Sequence, residues 1–324
     1  MYRITKRAIA ENIKLIVFGC VAFISLWGVL LSHRPVPFSS GGVVTWWTLL
    51  SVVGVINLCI WQRSARAITE RKGGTASSFY TFQRWQLLLS AVFVLGCGFR
   101  SLFPRADVQR LSLSDSWLSS VFVGRSIATA AELCFMAQWA ILLYGVARDA
   151  GCRFAVVLAW LIVPFIAVAE VCSWHATLTT CYLGNVLEES IWTLSASLLV
   201  LGCLRVAPRC VAARRPFLLA ALVLGFVYVL FMTTVDVPMY VARWQADEAV
   251  GRAYLNLGAG LQDAWSRRVV SFAWEEWRAE IPWMTLYFSV CVWWSLALVH
   301  APRWWPVPRP GTTEGDARQA LSPS

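Results

Sequence analysis

The sequence predicts an all-α integral membrane protein, a polytopic bundle of about eight transmembrane helices with the N- and C-termini in the cytoplasm. Composition is the first reason: of 324 residues, 58% are apolar and only 14% are charged. Soluble globular proteins carry about 45–50% apolar and about 25% charged residues. The apolar residues also form runs of about 20, the length that one helix needs to cross a bilayer. An ordinary soluble enzyme, a disordered chain and a fibrous protein are therefore excluded.

The first apolar run follows a basic start, from Met1 to Arg7, as the core of a signal peptide would. It lacks a small-residue cleavage motif and is longer than an ordinary signal core, so we expect a helix that is retained. The later runs are separated by polar or basic segments. Together they predict eight spans: 15–32, 43–61, 85–104, 124–146, 154–174, 186–204, 217–235 and 283–301.

The distribution of Lys and Arg orients this bundle, because cytoplasmic loops carry the excess of basic residues. With the N-terminus inside, the inner segments hold most of the 28 lysines and arginines, and the outer connection 174–185 holds none. The asymmetry explains the net charge of +10 without a nucleic-acid partner. We expect a multi-pass protein of the cell (inner) membrane whose partners are membrane lipids.

Residues 1–302 are predicted to form one transmembrane helical domain, and the segment 303–324 a disordered cytoplasmic tail rich in Pro, Gly and Ser. Two outer segments are unusual. Residues 100–125 carry four arginines. Residues 236–282 form the longest segment outside the membrane and alternate apolar and charged residues, which predicts one or two amphipathic helices on the outer surface. This outer amphipathic loop is interpreted either as a cap that seals the bundle or as a lid over a substrate.

Ionisable residues inside the spans mark the candidate site, since each costs about 2.5–3.5 kcal/mol to insert. Counting inward from the helix ends places several at similar depth in the outer leaflet. In the fourth span, Arg125, Thr129 and Glu132 follow one another at intervals of four and three residues, so all three lie on one face of the helix. The candidate catalytic residues are Glu132, Glu170, Glu189 and His175, and the candidate substrate-binding residues are Arg100, Arg125 and Asp236.

The same side chains are also candidate ligands of a divalent metal, because carboxylates and imidazole suit such cations. The metal hypothesis takes Glu132, Glu170, Glu189 and His175 as ligands. A ferritin-type di-metal site is disfavoured, since it requires two Glu-x-x-His pairs. Cys172 and His175 are spaced to meet a softer metal such as copper, but small cysteines packed in the bundle are the favoured interpretation.

The first functional hypothesis is a membrane-embedded enzyme with a carboxylate-rich site in the outer leaflet, acting on a lipidic or anionic substrate with or without a metal. The alternative is a proton-coupled transporter or ion pathway that uses the same carboxylates. Transport requires a polar path toward the cytoplasm, and the sequence offers a thin one. It consists of Gln138 and Tyr144 below Glu132, and of Ser195 and Ser197 below Glu189. A structural or sensory membrane subunit is the third possibility, with ion pairs that only fix helix packing.

Known catalytic and metal motifs are missing from the sequence. The chain contains no G-x-x-x-x-G-K-[ST], G-x-S-x-G or H-E-x-x-H, so no P-loop, hydrolase nucleophile elbow or zinc peptidase helix is indicated. The ten cysteines include no C-x-x-C pair, which excludes a zinc ribbon and a thioredoxin-type redox motif.

Overall fold

The computed structural model describes residues 40–70, 77–210 and 215–301. Within these residues, seven helices are long and apolar enough to cross a membrane. They confirm the predicted fold class, an all-α polytopic membrane bundle, and they coincide with seven of the predicted spans. The predicted span 15–32 and the predicted tail 303–324 lie outside the described residues. The cytoplasmic placement of both termini stays a prediction.

The described chain is almost entirely helical, with three very short strands in its connections. The strands are β1 (Arg105–Ala106), β2 (Leu111–Ser112) and β3 (Val269–Val270). The helices are α1 (Ser40–Thr69), α2 (Ser77–Leu102), α3 (Val121–Asp149), α4 (Arg153–Thr179), α5 (Tyr182–Val206), α6 (Arg215–Phe231), α7 (Val237–Ala249), α8 (Leu257–Ser266), α9 (Trp274–Trp277), α10 (Ile281–Leu286) and α11 (Val292–His300).

Helix α3 is the centre of the bundle and packs against α2, α4, α5 and α11. It begins at Ser120, whose hydroxyl accepts a hydrogen bond from the backbone N–H of Val123 and so caps the helix. Helices α4 and α5 form the most extensive helix pair. Their close approach requires Gly184, because a Cβ there would lie 2.7 Å from the backbone nitrogen of Ala176. The polar faces of α3, α4 and α5 therefore meet at close range.

Two spans continue through a π-helical turn. Met232–Asp236 joins α6 to α7, and Tyr287–Cys291 joins α10 to α11. The seventh span therefore runs on to Ala249, whereas the sequence predicted its end at residue 235. The prediction stopped at the polar Asp236, but the π turn keeps the backbone hydrogen-bonded past that side chain. Such turns often occur at functional sites.

The segments 103–120 and 250–280, here called the cap, cover the end of the bundle at which α3 begins. Strand β1 pairs antiparallel with β2, and β2 pairs parallel with β3, with Leu111 opposite Val269. Within the predicted outer loop 236–282, residues 237–249 form α7, which continues the seventh span. Residues 250–280 contain α8 and α9 but also a strand that the alternation of apolar and charged residues did not indicate. A sheet forms here because the two cap segments supply each other's backbone hydrogen bonds.

Candidate functional site

The site is centred on the guanidinium of Arg125, near the start of α3. Its Nη2 lies 2.7 Å from Oε2 of Glu132 and 2.8 Å from Oε2 of Glu170. Its Nη1 lies 3.6 Å from Oε1 of Glu188 and 3.8 Å from Oδ2 of Asp107. Three helices and the cap therefore bring their carboxyl groups to one arginine. These five residues are called the Arg125 cluster below.

Helical spacing explains why three of the carboxyl groups converge. On α3, Arg125 and Glu132 are two turns apart and face the same side. Thr129 lies between them and donates a hydrogen bond of 2.6 Å to Oε2 of Glu170 on α4. The indole of Trp174, one turn further along α4, donates to the Thr129 hydroxyl at 3.1 Å. Glu170 is therefore held in one orientation by an arginine and a hydroxyl.

Two more buried arginines adjoin the cluster. Arg100 at the end of α2 places Nη1 3.9 Å from Oε1 of Glu132, and its guanidinium also lies over the rings of Trp283 and Phe288 at 5.6 and 5.5 Å. Arg105 in β1 donates from Nε to Oδ1 of Asp107 at 2.9 Å. Asp107 thus bridges Arg105 and Arg125.

The buried layer therefore has two halves of opposite charge balance. Taken as ionised, Arg125 with its three glutamates carries two excess negative charges. Arg100 and Arg105 with Asp107 carry one excess positive charge. Burial acts to raise the pKa of Asp107, but the nearby arginines outweigh it and lower that pKa below its ordinary value of 3.8. Burial lowers the pKa of Arg105 to about 10, so its guanidinium is still charged at neutral pH.

Arg110 fastens the cap over this layer. Its Nε donates to Oδ2 of Asp263 in α8 at 2.7 Å, and its Nη2 donates to the backbone oxygen of Thr177 at the end of α4 at 2.8 Å. Its Nη1 donates to the backbone oxygen of Asp107 at 2.6 Å. Arg110 itself has a left-handed backbone, with φ of 59°, an uncommon conformation for a residue with a side chain. One buried side chain thus joins both cap segments to the bundle.

The structure does not bring Glu189 and Asp236 into the Arg125 cluster. Both are half-buried and lie outside the cluster, although Glu189 is within electrostatic range of Asp236 and also of Glu132 and Arg125. The neighbouring group there is Glu280, whose carboxylate accepts from the indole of Trp283 at 2.6 Å and lies 3.7 Å from Nη1 of Arg243. Burial raises the pKa of Glu280.

The geometry does not assemble the predicted metal site. Among the described residues, no group of three or more His, Cys, Asp or Glu side chains is arranged to hold a metal ion. Within the Arg125 cluster, the guanidinium already lies between the carboxylates that a cation would bridge. His175, the one imidazole of that hypothesis, is exposed at the end of α4, because residue 175 falls on the outward face of the helix.

Sequence reasoning underrated Glu188 and gave no role to Arg105, Asp107 and Arg110. Glu188 could have been identified from helical spacing. It recurs with Asn185, Trp192 and Ser195 every three or four residues, and all but Asn185 are buried. The other three lie in a connection with no periodicity. Their positions depend on the strand pairing within the cap, which no local pattern indicates.

Many buried polar atoms in this layer have no hydrogen-bond partner in the part of the chain that the structure describes. Buried polar groups are rarely left so, because each costs about 1–3 kcal/mol. The atoms are Arg100 Nε, Arg105 Nη1 and Nη2, Arg125 Nε, Glu170 Oε1, Asn185 Oδ1 and the Tyr287 hydroxyl.

Deeper in the bundle lies a second buried polar group, formed by Gln86, Ser90, Gln138 and Ser295. The Gln138 side chain donates to Oε1 of Gln86 at 3.0 Å, and the Ser295 hydroxyl lies 2.6 Å from Oε1 of Gln138. The Ser295 hydroxyl also lies 3.1 Å from that of Ser90, which can donate to it. On α3, Gln138 is six residues beyond Glu132, about 9 Å along the helix axis. The polar path below the carboxylates is thus richer than the sequence indicated.

No family model, curated protein or solved structure matches this chain. Its helices alone identify the protein as a multi-pass integral membrane protein, with a buried arginine–carboxylate layer beneath a folded cap.

Proposed function

We propose that the protein is a membrane-embedded enzyme of the cell (inner) membrane that acts on an anionic lipid from the outer leaflet. The carrying observation is the layer around Arg125, in which seven buried polar atoms of acidic, basic and neutral side chains lack partners in the described chain. In a network that only holds helices together, the polar groups are expected to hydrogen-bond one another. A site that binds a polar group has reason to keep donors and acceptors free.

In this proposal the two halves of the layer have different tasks. The acid-rich half supplies proton transfer: Oε2 of Glu170 is fixed by Arg125 and Thr129, while its Oε1 receives no hydrogen bond from a described donor. The Glu132 carboxyl group lies beside it and can share a proton with it. The base-rich half, with Arg100 and Arg105, orients an anionic headgroup. Metal dependence is not included, because the Arg125 guanidinium lies between the carboxylates that a cation would bridge.

The test is lipid turnover in proteoliposomes made from a mixture of anionic and zwitterionic phospholipids, followed by mass spectrometry of the extracted lipids. Parent protein is expected to deplete one anionic lipid class and to form a product. Glu170→Gln removes the proton-transfer group but keeps an oxygen for Thr129, so we expect about 10²-fold or greater loss of rate with normal folding. Equal turnover in the parent and the variant would contradict the proposal.

A proton pathway is the second candidate, because the Gln86–Gln138–Ser295–Ser90 group continues the polar layer toward the cytoplasm. The acid-rich half carries two excess negative charges, which bound protons would neutralise. A pH-sensitive dye inside the same proteoliposomes measures this activity under an imposed membrane potential. Flux that is lost in both Glu132→Gln and Gln138→Leu favours transport, whereas lipid turnover without flux favours the enzyme. Absence of both activities favours a structural subunit.

A further inference from the structure

Arg105 and Arg110 are the most deeply buried of the described arginines at this layer, each with 1% of its surface exposed. For Arg105 this burial leaves part of the guanidinium without a partner in the described chain. Its Nε is used by Asp107. Its two terminal nitrogens, Nη1 and Nη2, have no hydrogen-bond partner among the residues that the structure describes. A guanidinium presents five N–H donors in a planar fork, and four of them belong to these two nitrogens. The free edge of this fork is the geometry that binds two oxygens of a phosphate or carboxylate.

The free edge lies against the first turn of α3. Gly124 makes this possible, because a Cβ at that position would overlap the guanidinium of Arg105. The first turn of a helix leaves backbone N–H groups without partners and carries the positive end of the helix dipole. The guanidinium therefore meets the positive end of the helix dipole at contact distance, an unfavourable placement that an anion bound beside the fork would offset. A 29-residue helix and a buried arginine thus direct positive charge into one small volume.

Arg100 adds to the same positive field. Its side chain is 5% exposed, its Nε lacks a partner in the described chain, and it lies within electrostatic range of both Arg105 and Asp107. The opposing carboxylate of Asp107 neutralises one of the two charges. Arg125 is already surrounded by three glutamates. The residual positive charge therefore lies with Arg100 and Arg105 and not with Arg125, which the sequence had indicated as a substrate ligand.

We propose that Arg105 and Arg100, together with the first turn of α3, form a binding site for a tetrahedral phosphate oxyanion. This inference rests on the proposed function, since the phosphate of an anionic lipid headgroup would place the rest of that lipid beside Glu170. Inorganic phosphate presents the same oxygens. The fork of Arg105 contacts two oxygens, and Arg100 contacts a third.

The test uses the purified full-length protein in neutral detergent and measures the unfolding midpoint, Tm. Inorganic phosphate is compared with chloride at equal ionic strength, and short-chain phosphatidic acid with short-chain phosphatidylcholine. A ligand that binds only the folded protein raises Tm with its concentration, and we expect a rise of at least about 3 °C at saturation. A rise with both phosphate compounds supports a site open to free phosphate, and a rise with phosphatidic acid alone supports a lipid headgroup. No rise with either compound overturns the inference.

Variants separate this site from general charge effects. Arg105→Lys keeps the charge but loses the fork, and Gly124→Ala displaces the guanidinium from the helix. Both are expected to weaken phosphate binding at least tenfold. Arg268→Lys is the matched control, because Arg268 lies in the cap but its partner Asp115 is largely exposed, and it should bind as the parent does. Binding unchanged in both Arg105→Lys and Gly124→Ala overturns the inference.

Glu170→Gln distinguishes failure of this site from failure of the proposed enzyme. The variant is expected to lose lipid turnover yet keep the phosphate-dependent rise in Tm. If phosphate raises Tm through Arg105 but the protein turns over no lipid, the anion-binding site is supported and the proposed enzyme activity is contradicted. If lipid turnover depends on Glu170 but the rise in Tm does not depend on Arg105, the enzyme activity is supported and the anion-binding site is contradicted.

Discussion

At the scale of single residues, Arg125 shows how much one side chain can organise. Its guanidinium lies within 4 Å of carboxyl groups from α3, α4, α5 and the cap. Removing one member of a buried ion pair lowers the free energy of unfolding by much more than the intact pair contributes to it. The reason is that the remaining charge is left buried without compensation. The carboxylates would then repel each other across the helix interfaces that Arg125 now joins.

We therefore predict that Arg125→Gln lowers the free energy of unfolding by about 3–5 kcal/mol. Arg268→Gln serves as the control, because its ion pair with Asp115 is exposed and such pairs contribute about 0–1 kcal/mol. Chemical denaturation of both variants in detergent measures the difference. Equal stability of the two variants would show that the Arg125 cluster does not hold the helices together.

The carboxyl group of Asp107 is expected to make the stability of the folded protein fall at low pH. Nearby arginines overcome the effect of burial and lower its pKa in the folded protein below 3.8. The stability that this carboxylate contributes is thus present above pH 3.8 and is lost as the pH falls through the lower folded value. The parent should therefore lose stability below about pH 4 more steeply than Asp107→Asn. Thermal unfolding across this range tests the prediction, which parallel curves would contradict.

At the scale of elements, α5 shows what one sequence can and cannot predict. Its existence and depth were evident from apolar length, and a polar stripe was expected. Glu189 was the candidate catalytic residue predicted on this helix, but the neighbouring residue Glu188 faces Arg125. A helix places adjacent residues about 100° apart, so the choice between them depends on how α5 rotates against α4. Gly184 helps to set that rotation through the close approach described above, and such packing is not a local property of the sequence.

The cap offers a sharper test of an element. Gly260 in α8 is packed so tightly that a Cβ would overlap the backbone of Leu178 at the end of α4, whereas a Cβ at Gly258 would meet only Asn256, at 3.5 Å. We predict that Gly260→Ala lifts α8 from α4 and exposes the segment 250–280 to protease. Gly258→Ala is the control in the same helix. Limited proteolysis measures cleavage of this segment in both variants. Equal cleavage would contradict the described packing of α8 against α4.

At the scale of the whole molecule, the fold was predictable and the site only in part. Seven spans were correct because a bilayer demands long apolar helices, and composition alone shows those. The same argument found Glu132 and Glu170, since charges inside such helices are conspicuous. Arg105 and Arg110 stayed without a role because they lie in a connection whose geometry comes from pairing with residues more than 150 positions later. Long-range pairing leaves no periodic trace.

The orientation of the molecule is itself testable. The basic residues predict that the cap faces outward and that the α3–α4 turn faces the cytoplasm. A membrane-impermeant maleimide should therefore label Val250→Cys in intact cells, where Val250 is 79% exposed. Arg153→Cys should be labelled only after the cells are permeabilised, and the parent protein gives the background. The reverse pattern would invert the bundle and place the site in the inner leaflet.

The most direct measurement of the central claim compares two adjacent glutamates in one assay of lipid turnover. Glu188→Gln changes a carboxylate that faces Arg125, and Glu189→Gln changes the adjacent one, which points about 100° away around the same helix. Thermal unfolding of the two preparations first establishes that both are folded. The account predicts that turnover of the anionic lipid is lost in Glu188→Gln and retained in Glu189→Gln. Loss in Glu189→Gln with normal turnover in Glu188→Gln would contradict it and place the chemistry outside the Arg125 cluster.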